Sequence, residues 1–236
     1  MRFLRLVVRV IRVALILLVV LGLGLWGWAE ATRPDMGKLP KLQDGDLVFQ
    51  TIRSHQTTAI MLASHTWLSH VGIVRIGLDG APKVVEAVGP VREIPLDRWI
   101  KQGIGGRLLI KRLPDLTQAQ ARAVLAAAEH YYGKPYDFFF LLDDERIYCS
   151  ELAYKAFQQG AGLTVGHMQK VATLNLDNFA VKELLQERWS RYPLCQTPET
   201  STYAACIAVM KQQDIITPDA VARDPRLLTL YDNYPL

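Results

Sequence analysis

Seventeen consecutive residues, Val13 to Ala29, carry no charge, and four spaced arginines, Arg2, Arg5, Arg9 and Arg12, stand before them. A stretch this long and apolar on every face goes to or through a membrane. A core helix buried on all sides is the alternative. Arginines ahead of an apolar run stay on the cytoplasmic side, and Trp26 and Trp28 suit the opposite interface. The chain after Glu30 is therefore expected in the cell envelope, on the periplasmic face of the inner membrane. Residues 1–31 read either as a single-pass anchor or as a signal peptide cut at the Ala29-Glu30-Ala31 pattern.

That segment also decides how the charge is read. The formal net charge is +4, and the four leading arginines account for all of it, so the remainder is close to neutral. No Lys/Arg run follows Arg12, which argues against a nucleic-acid partner. With 236 residues in all, the expected plan is the membrane segment, a linker over 32–42, one catalytic domain over 43–190 and a C-terminal extension over 191–236.

Three cysteines in an exported chain leave one over when two are oxidised. Cys195 and Cys206 flank a Pro/Thr/Ser-rich stretch and form the expected disulfide. Cys149 is then a free thiol. Standing alone it would read as a small buried hydrophobe.

The middle of the chain has the period of strands. Asp44-Gly45-Asp46 leads into Leu47–Gln50, a short helix is expected from Thr58 to Ser64, and Ser69 to Ile76 is a β-branched strand. Asp79-Gly80 marks a turn and Lys83 to Val88 returns as a hairpin, with further strands over Val91–Ile94 and Arg107–Arg112. The period then changes. Thr117 caps an Ala-rich helix that Gly133 and Pro135 end, and a second helix begins near Cys149 and stops at Gly160-Ala161-Gly162. Thr173 to Leu185 reads as mostly helical, and the tail from Tyr192 as irregular with one short helix around Tyr203–Met210. The fold class is α+β, an antiparallel sheet packed against the Cys149 helix.

A cysteine in the first turn of a helix meets unsatisfied N–H groups and the positive end of the helix dipole, and both favour its thiolate. The same N–H groups lie where a substrate carbonyl would gain negative charge on attack. The nucleophile needs a base, and His70, at the start of a strand, is the candidate. Hairpin arithmetic brings Glu86 within a residue or two of His70 on the returning strand, where it could orient the imidazole. A register slip of one residue would instead turn Glu86 to solvent.

Five stretches occur together in order: Gly45-Asp46-Leu47-Val48-Phe49, Ser69-His70-Val71-Gly72-Ile73-Val74, Val85-Glu86-Ala87, Lys134-Pro135-Tyr136-Asp137 and Tyr148-Cys149-Ser150-Glu151-Leu152. They resemble the circularly permuted papain-like amidases, the YiiX-like group related to NlpC-type cell-wall hydrolases. In papain-like enzymes the cysteine helix precedes the histidine strand; here histidine comes first, as in the permuted group. The resemblance implies a permuted papain-like fold, with Cys149 as nucleophile, His70 as base and later acid, and Glu86 as its orienting partner. It also places Tyr148 beside the pocket, with Tyr136 a second lining candidate, and makes Asp46 a structural turn residue.

Other polar residues are weighed down. His55 and His65 read as surface or loop histidines, one of which could line the cleft; His130 and His167 lack partners at metal-ligand spacing, and Asp143-Asp144-Glu145 lacks the alternation of a calcium loop, so neither metal nor cofactor is expected. Phe138 to Phe140 could wall a pocket or divide between core and surface. The expected activity is amide or ester hydrolysis in the envelope, on a cell-wall peptide or a lipid or other acylated small molecule. Two alternatives remain, a thiol acyltransferase acting on lipid or lipoprotein acyl groups and an inactive binding module.

Overall fold

A computed structural model describes residues 2–31, 34 and 36–234. The chain opens with α1 (Arg2–Ala31), within which Val7–Gly24 is long and apolar enough to cross a membrane and is not buried against the rest of the protein. The elements that follow are β1 (Leu47–Gln50), α2 (Thr57–Ser64), β2 (His70–Ile76), β3 (Pro82–Glu86), β4 (Arg92–Pro95), α3 (Leu96–Gln102) and β5 (Leu109–Arg112). Then come α4 (Gln118–Glu129), α5 (Cys149–Ala161), β6 (Gln169–Lys170), α6 (Phe179–Arg188), α7 (Tyr203–Gln212), β7 (Asp214–Ile215), α8 (Pro218–Ala222) and β8 (Leu228–Asp232).

Six antiparallel strands form the main sheet in the order β4-β3-β2-β1-β5-β8. Strand alternation sends Leu47, Phe49, Val71, Ile73 and Val85 to one face, where α4 and α5 cover them. Val48, Val74, Val84 and Ile110 go to the other, under Leu96, Trp99 and Ile100 of α3. Asp46 fixes the entry to β1: its carboxylate accepts the Gln43 N–H at 2.9 Å and takes a two-pronged contact from Arg112, both prongs at 2.7 Å.

α4 begins with the Thr117–Gln120 capping box and buries Ala121, Val124, Leu125 and Ala128, the spacing of one helix face. It lies hard against α5. A Cβ on Gly160 would come within 2.4 Å of the Val124 backbone nitrogen, so only glycine lets the two helices approach this closely.

Three features differ from the sequence expectation. Leu96–Gln102 is a helix, where the sequence reading left the stretch unassigned between two strands. The helix expected from Thr173 starts only at Phe179, because the Asn178 side chain accepts the Val181 N–H at 3.0 Å and caps it there. The tail is less irregular than expected: the stretch 191–236, set apart as an extension, supplies α7, β7, α8 and the edge strand β8 of the main sheet.

Candidate active site

The site forms where the first turn of α5 meets the first residues of β2. Tyr148, just ahead of the helix, has extended backbone, and its N–H donates to the Glu151 carboxylate at 3.3 Å. Cys149 therefore sits as the first helical residue, with backbone donors and the helix dipole beside its sulfur.

His70 is 1% exposed; its side chain hydrogen-bonds Glu86 and interacts electrostatically with Cys149. Its Nε2 lies 2.9 Å from Glu86 Oε2, which leaves Nδ1 for the sulfur. The ring stacks on Trp99 of α3, centroids 5.9 Å apart. Register explains the reach to Glu86. Ile73 pairs with Val85, so continuing that register sets Gly72 opposite Glu86 and leaves His70 at the next same-face position, within diagonal reach of the carboxylate. A Cβ on Gly72 would lie 2.3 Å from Val84 Cγ1 and 3.1 Å from the Val85 carbonyl.

Glu86 is fully buried and does not face water. Arg92, its cross-strand partner in β4, places Nε and one terminal nitrogen 3.1 Å from Glu86 Oε1. Burial alone would raise the Glu86 pKa, but the bonds to His70 and Arg92 outweigh it and hold the carboxyl below its ordinary range. Burial alone would likewise neutralise His70; its bonds to Cys149 and Glu86 win and raise it from 6.5 to about 9. Cys149 moves the other way: burial disfavours its thiolate, yet the His70 contact and the Val71 N–H bring the pKa below the ordinary thiol value.

Tyr136 and Tyr148 both border a cavity that reaches Cys149. Gln56 Nε2 donates to the Tyr136 hydroxyl at 3.1 Å, and Arg188 donates to Gln56 Oε1 at 3.0 Å. The Tyr148 hydroxyl accepts the Ile216 N–H at 3.1 Å. Cys195 and Cys206 are joined as a disulfide and Cys149 is free. Of the aromatic triplet, Phe139 and Phe140 line the cavity while Phe138 is 54% exposed. His55 is exposed near Glu187, and His65 is the left-handed cap of α2.

The sequence reading did not find Arg92, Trp99 or the Gln56–Arg188 relay. Arg92 carried a signal, since it lies one short turn beyond Glu86. Trp99 and Arg188 are brought in by α3 and α6, and their distance along the chain gave no hint.

The profile of a family described as "Permuted papain-like amidase enzyme, YaeF/YiiX, C92 family" matches residues 41–231. "Uncharacterized protein YiiX" of Escherichia coli (strain K12) is 37% identical over 196 residues, covering 82% of this chain and 88% of the relative. A crystal structure described as metalloprotein yiiX from Escherichia coli O157:H7 aligns with a TM-score of 0.73 at 34% identity, covering 83% of this chain and 100% of that one.

Proposed function

Because this chain belongs to the permuted papain-like amidase family, we propose that it cleaves an amide or ester bond through an acyl-enzyme formed on Cys149. Family membership supports a cysteine hydrolase of amidase type. The single observation behind the specific residues is the buried chain of contacts from Cys149 through His70 to Glu86, backed by Arg92.

In the proposed reaction the Cys149 thiolate attacks the carbonyl carbon, and the carbonyl oxygen gains charge beside the N-terminal N–H groups of α5. The Tyr136 hydroxyl accepts from Gln56 and so keeps its own proton to offer the same oxygen. As the carbon–nitrogen or carbon–oxygen bond breaks, His70 gives its proton to the leaving group. A water then loses a proton to His70 and attacks the thioester, releasing the carboxylic acid and restoring the thiolate. Glu86 stays ionised throughout and steadies the imidazolium.

The E. coli O157:H7 relative is described as a metalloprotein. Among the described residues here, no group of three or more His, Cys, Asp or Glu side chains could hold a metal. Glu86 meets His70 on the nitrogen that does not serve Cys149, so these three donors do not converge on one point. They do not fit a metal centre.

We place the domain on the exported side of a membrane, tethered by α1 or released from it, on the strength of the arginines before its apolar run. The test of the reaction is a burst experiment with p-nitrophenyl acetate on the full chain. The expected result is one nitrophenolate per enzyme with an acetyl mass gain on the Cys149 peptide, lost in Cys149→Ala and His70→Ala. An acyl mass on another residue, or none, contradicts the proposal. The alternative acceptor is an amine or alcohol in place of water. Adding an amine acceptor and weighing the products separates hydrolysis from transfer.

A further inference from the structure

The apolar helix α1 joins the rest of the chain on one face. Leu39 follows Ala31 by eight residues and packs, with Leu42, against the buried cluster of Val48, Leu96, Trp99 and Leu108 under α3. Eight residues reach at most about 28 Å when fully extended, and a 3₁₀ turn at Met36–Lys38 shortens that reach. The α1 backbone also passes within 8 Å of the Ile104–Gly106 turn that follows α3. A bilayer around Val7–Gly24 therefore lies close to this face.

Apolar side chains point to solvent there. Trp67 is 60% exposed, Ile104 45% and Leu62 36%. Thr51 joins the first two: its hydroxyl donates to the Trp67 carbonyl, and its own carbonyl accepts the Ile104 N–H at 2.7 Å. Leu62 and Trp67 border one shallow depression at the end of α2. Single apolar side chains are ordinary on a protein surface. A Trp, an Ile and a Leu gathered beside a membrane tether have the composition of an interfacial contact.

Cations flank the patch. Arg53 is exposed and follows Ile52, whose backbone bridges to Gly103 next to Ile104. Arg98 and Lys101 are exposed on α3, three residues apart and so on one side of the helix. Asp97 offsets part of this charge, its carboxylate 3.1 Å from Lys101 Nζ. The excess is positive, which suits the negative headgroups of an anionic bilayer.

Resting on the membrane tether proposed above, we infer that the patch of Leu62, Trp67 and Ile104 docks on the surface of the bilayer that α1 enters. The apolar side chains sit at headgroup depth, and Arg53, Arg98 and Lys101 meet anionic headgroups. Docking gives the catalytic domain a fixed orientation, with this face to the membrane, in place of free swinging about the linker.

The experiment reconstitutes the full chain in vesicles of phosphatidylcholine with phosphatidylglycerol, with and without bromine on the upper part of the acyl chains. Tryptophan emission is read in the parent and in Trp67→Phe. Their difference isolates Trp67, since Trp26, Trp28, Trp99 and Trp189 are common to both. Bromolipid should remove at least about half of the Trp67 emission. In vesicles of phosphatidylcholine alone, or in the Arg98→Glu/Lys101→Glu background, that loss should shrink at least about twofold. Quenching that ignores both changes overturns anionic headgroups as the partner. Trp67 emission untouched by bromolipid, including emission shifted to the blue because a second copy covers the patch, overturns the docking, while retention through a carbonate wash upholds the tether. Release of the intact chain by carbonate overturns both.

Discussion

His70 Nε2 and Glu86 Oε2 lie 2.9 Å apart although the sheet pairs Glu86 with Gly72, not with His70. The contact is diagonal across the hairpin. Register and electrostatics meet here: the hairpin sets the offset, and Arg92 on the next strand holds the carboxyl below its ordinary range.

Glycine at position 72 is required for packing against Val84 and Trp99. In Gly72→Ala the new methyl would meet Val84 Cγ1 at 2.3 Å, an overpacking that costs about 1–3 kcal/mol. Urea unfolding should show the loss, and Cys149 alkylation should slow in the folded variant as His70 is displaced. A variant as stable as the parent would contradict the described register.

Glu86→Gln keeps the shape and removes the charge. The acyl-transfer rate of the parent should fall on the alkaline side as His70 deprotonates near its raised value of about 9. A neutral partner stabilises imidazolium less, so this limb should move towards 6.5, by at least about one pH unit, or about 1.4 kcal/mol. An unmoved limb would remove Glu86 from the proposed role.

How much of this was legible in the sequence follows from how local each contact is. The hairpin from β2 to β3 is closed by a short turn, so counting back from Asp79-Gly80 placed Glu86 near His70. The start of α5 was equally local, since a helix beginning at Cys149 and ending at Gly162 carries its own signals. Trp99 was not legible, because Leu96–Gln102 is too short for its period to distinguish a helix from a strand. Nor was the outer wall of the cavity. Tyr192, Met210 and Ile215 come from a tail with weak periodicity, and tertiary packing against Phe139 and Phe140 orders it.

The disulfide gives that tail a measurable role. Cys195 and Cys206 are 11 residues apart, and a loop of that order contributes about 2–3 kcal/mol. Reduction, or the Cys195→Ala/Cys206→Ala double variant, should lower the melting temperature. An unchanged melting temperature would show that the bridge adds no stability to the tail.

Membrane attachment has its own check. The apolar span Val7–Gly24 predicts that the uncleaved full chain stays with membranes through an alkaline carbonate wash and is released by detergent. Release of the intact chain by carbonate would argue for a core or surface helix instead.

The central claim is that Cys149 is a thiolate at neutral pH because His70 holds its proton. The most direct measurement is the rate of Cys149 alkylation by iodoacetamide against pH, located by peptide mass spectrometry, in the parent and in His70→Ala. The account predicts that the parent reaches its plateau well below the ordinary thiol value of about 8.5, and that His70→Ala shifts the rise to that value or above. A parent curve that rises only near the ordinary thiol value and coincides with the His70→Ala curve would contradict it.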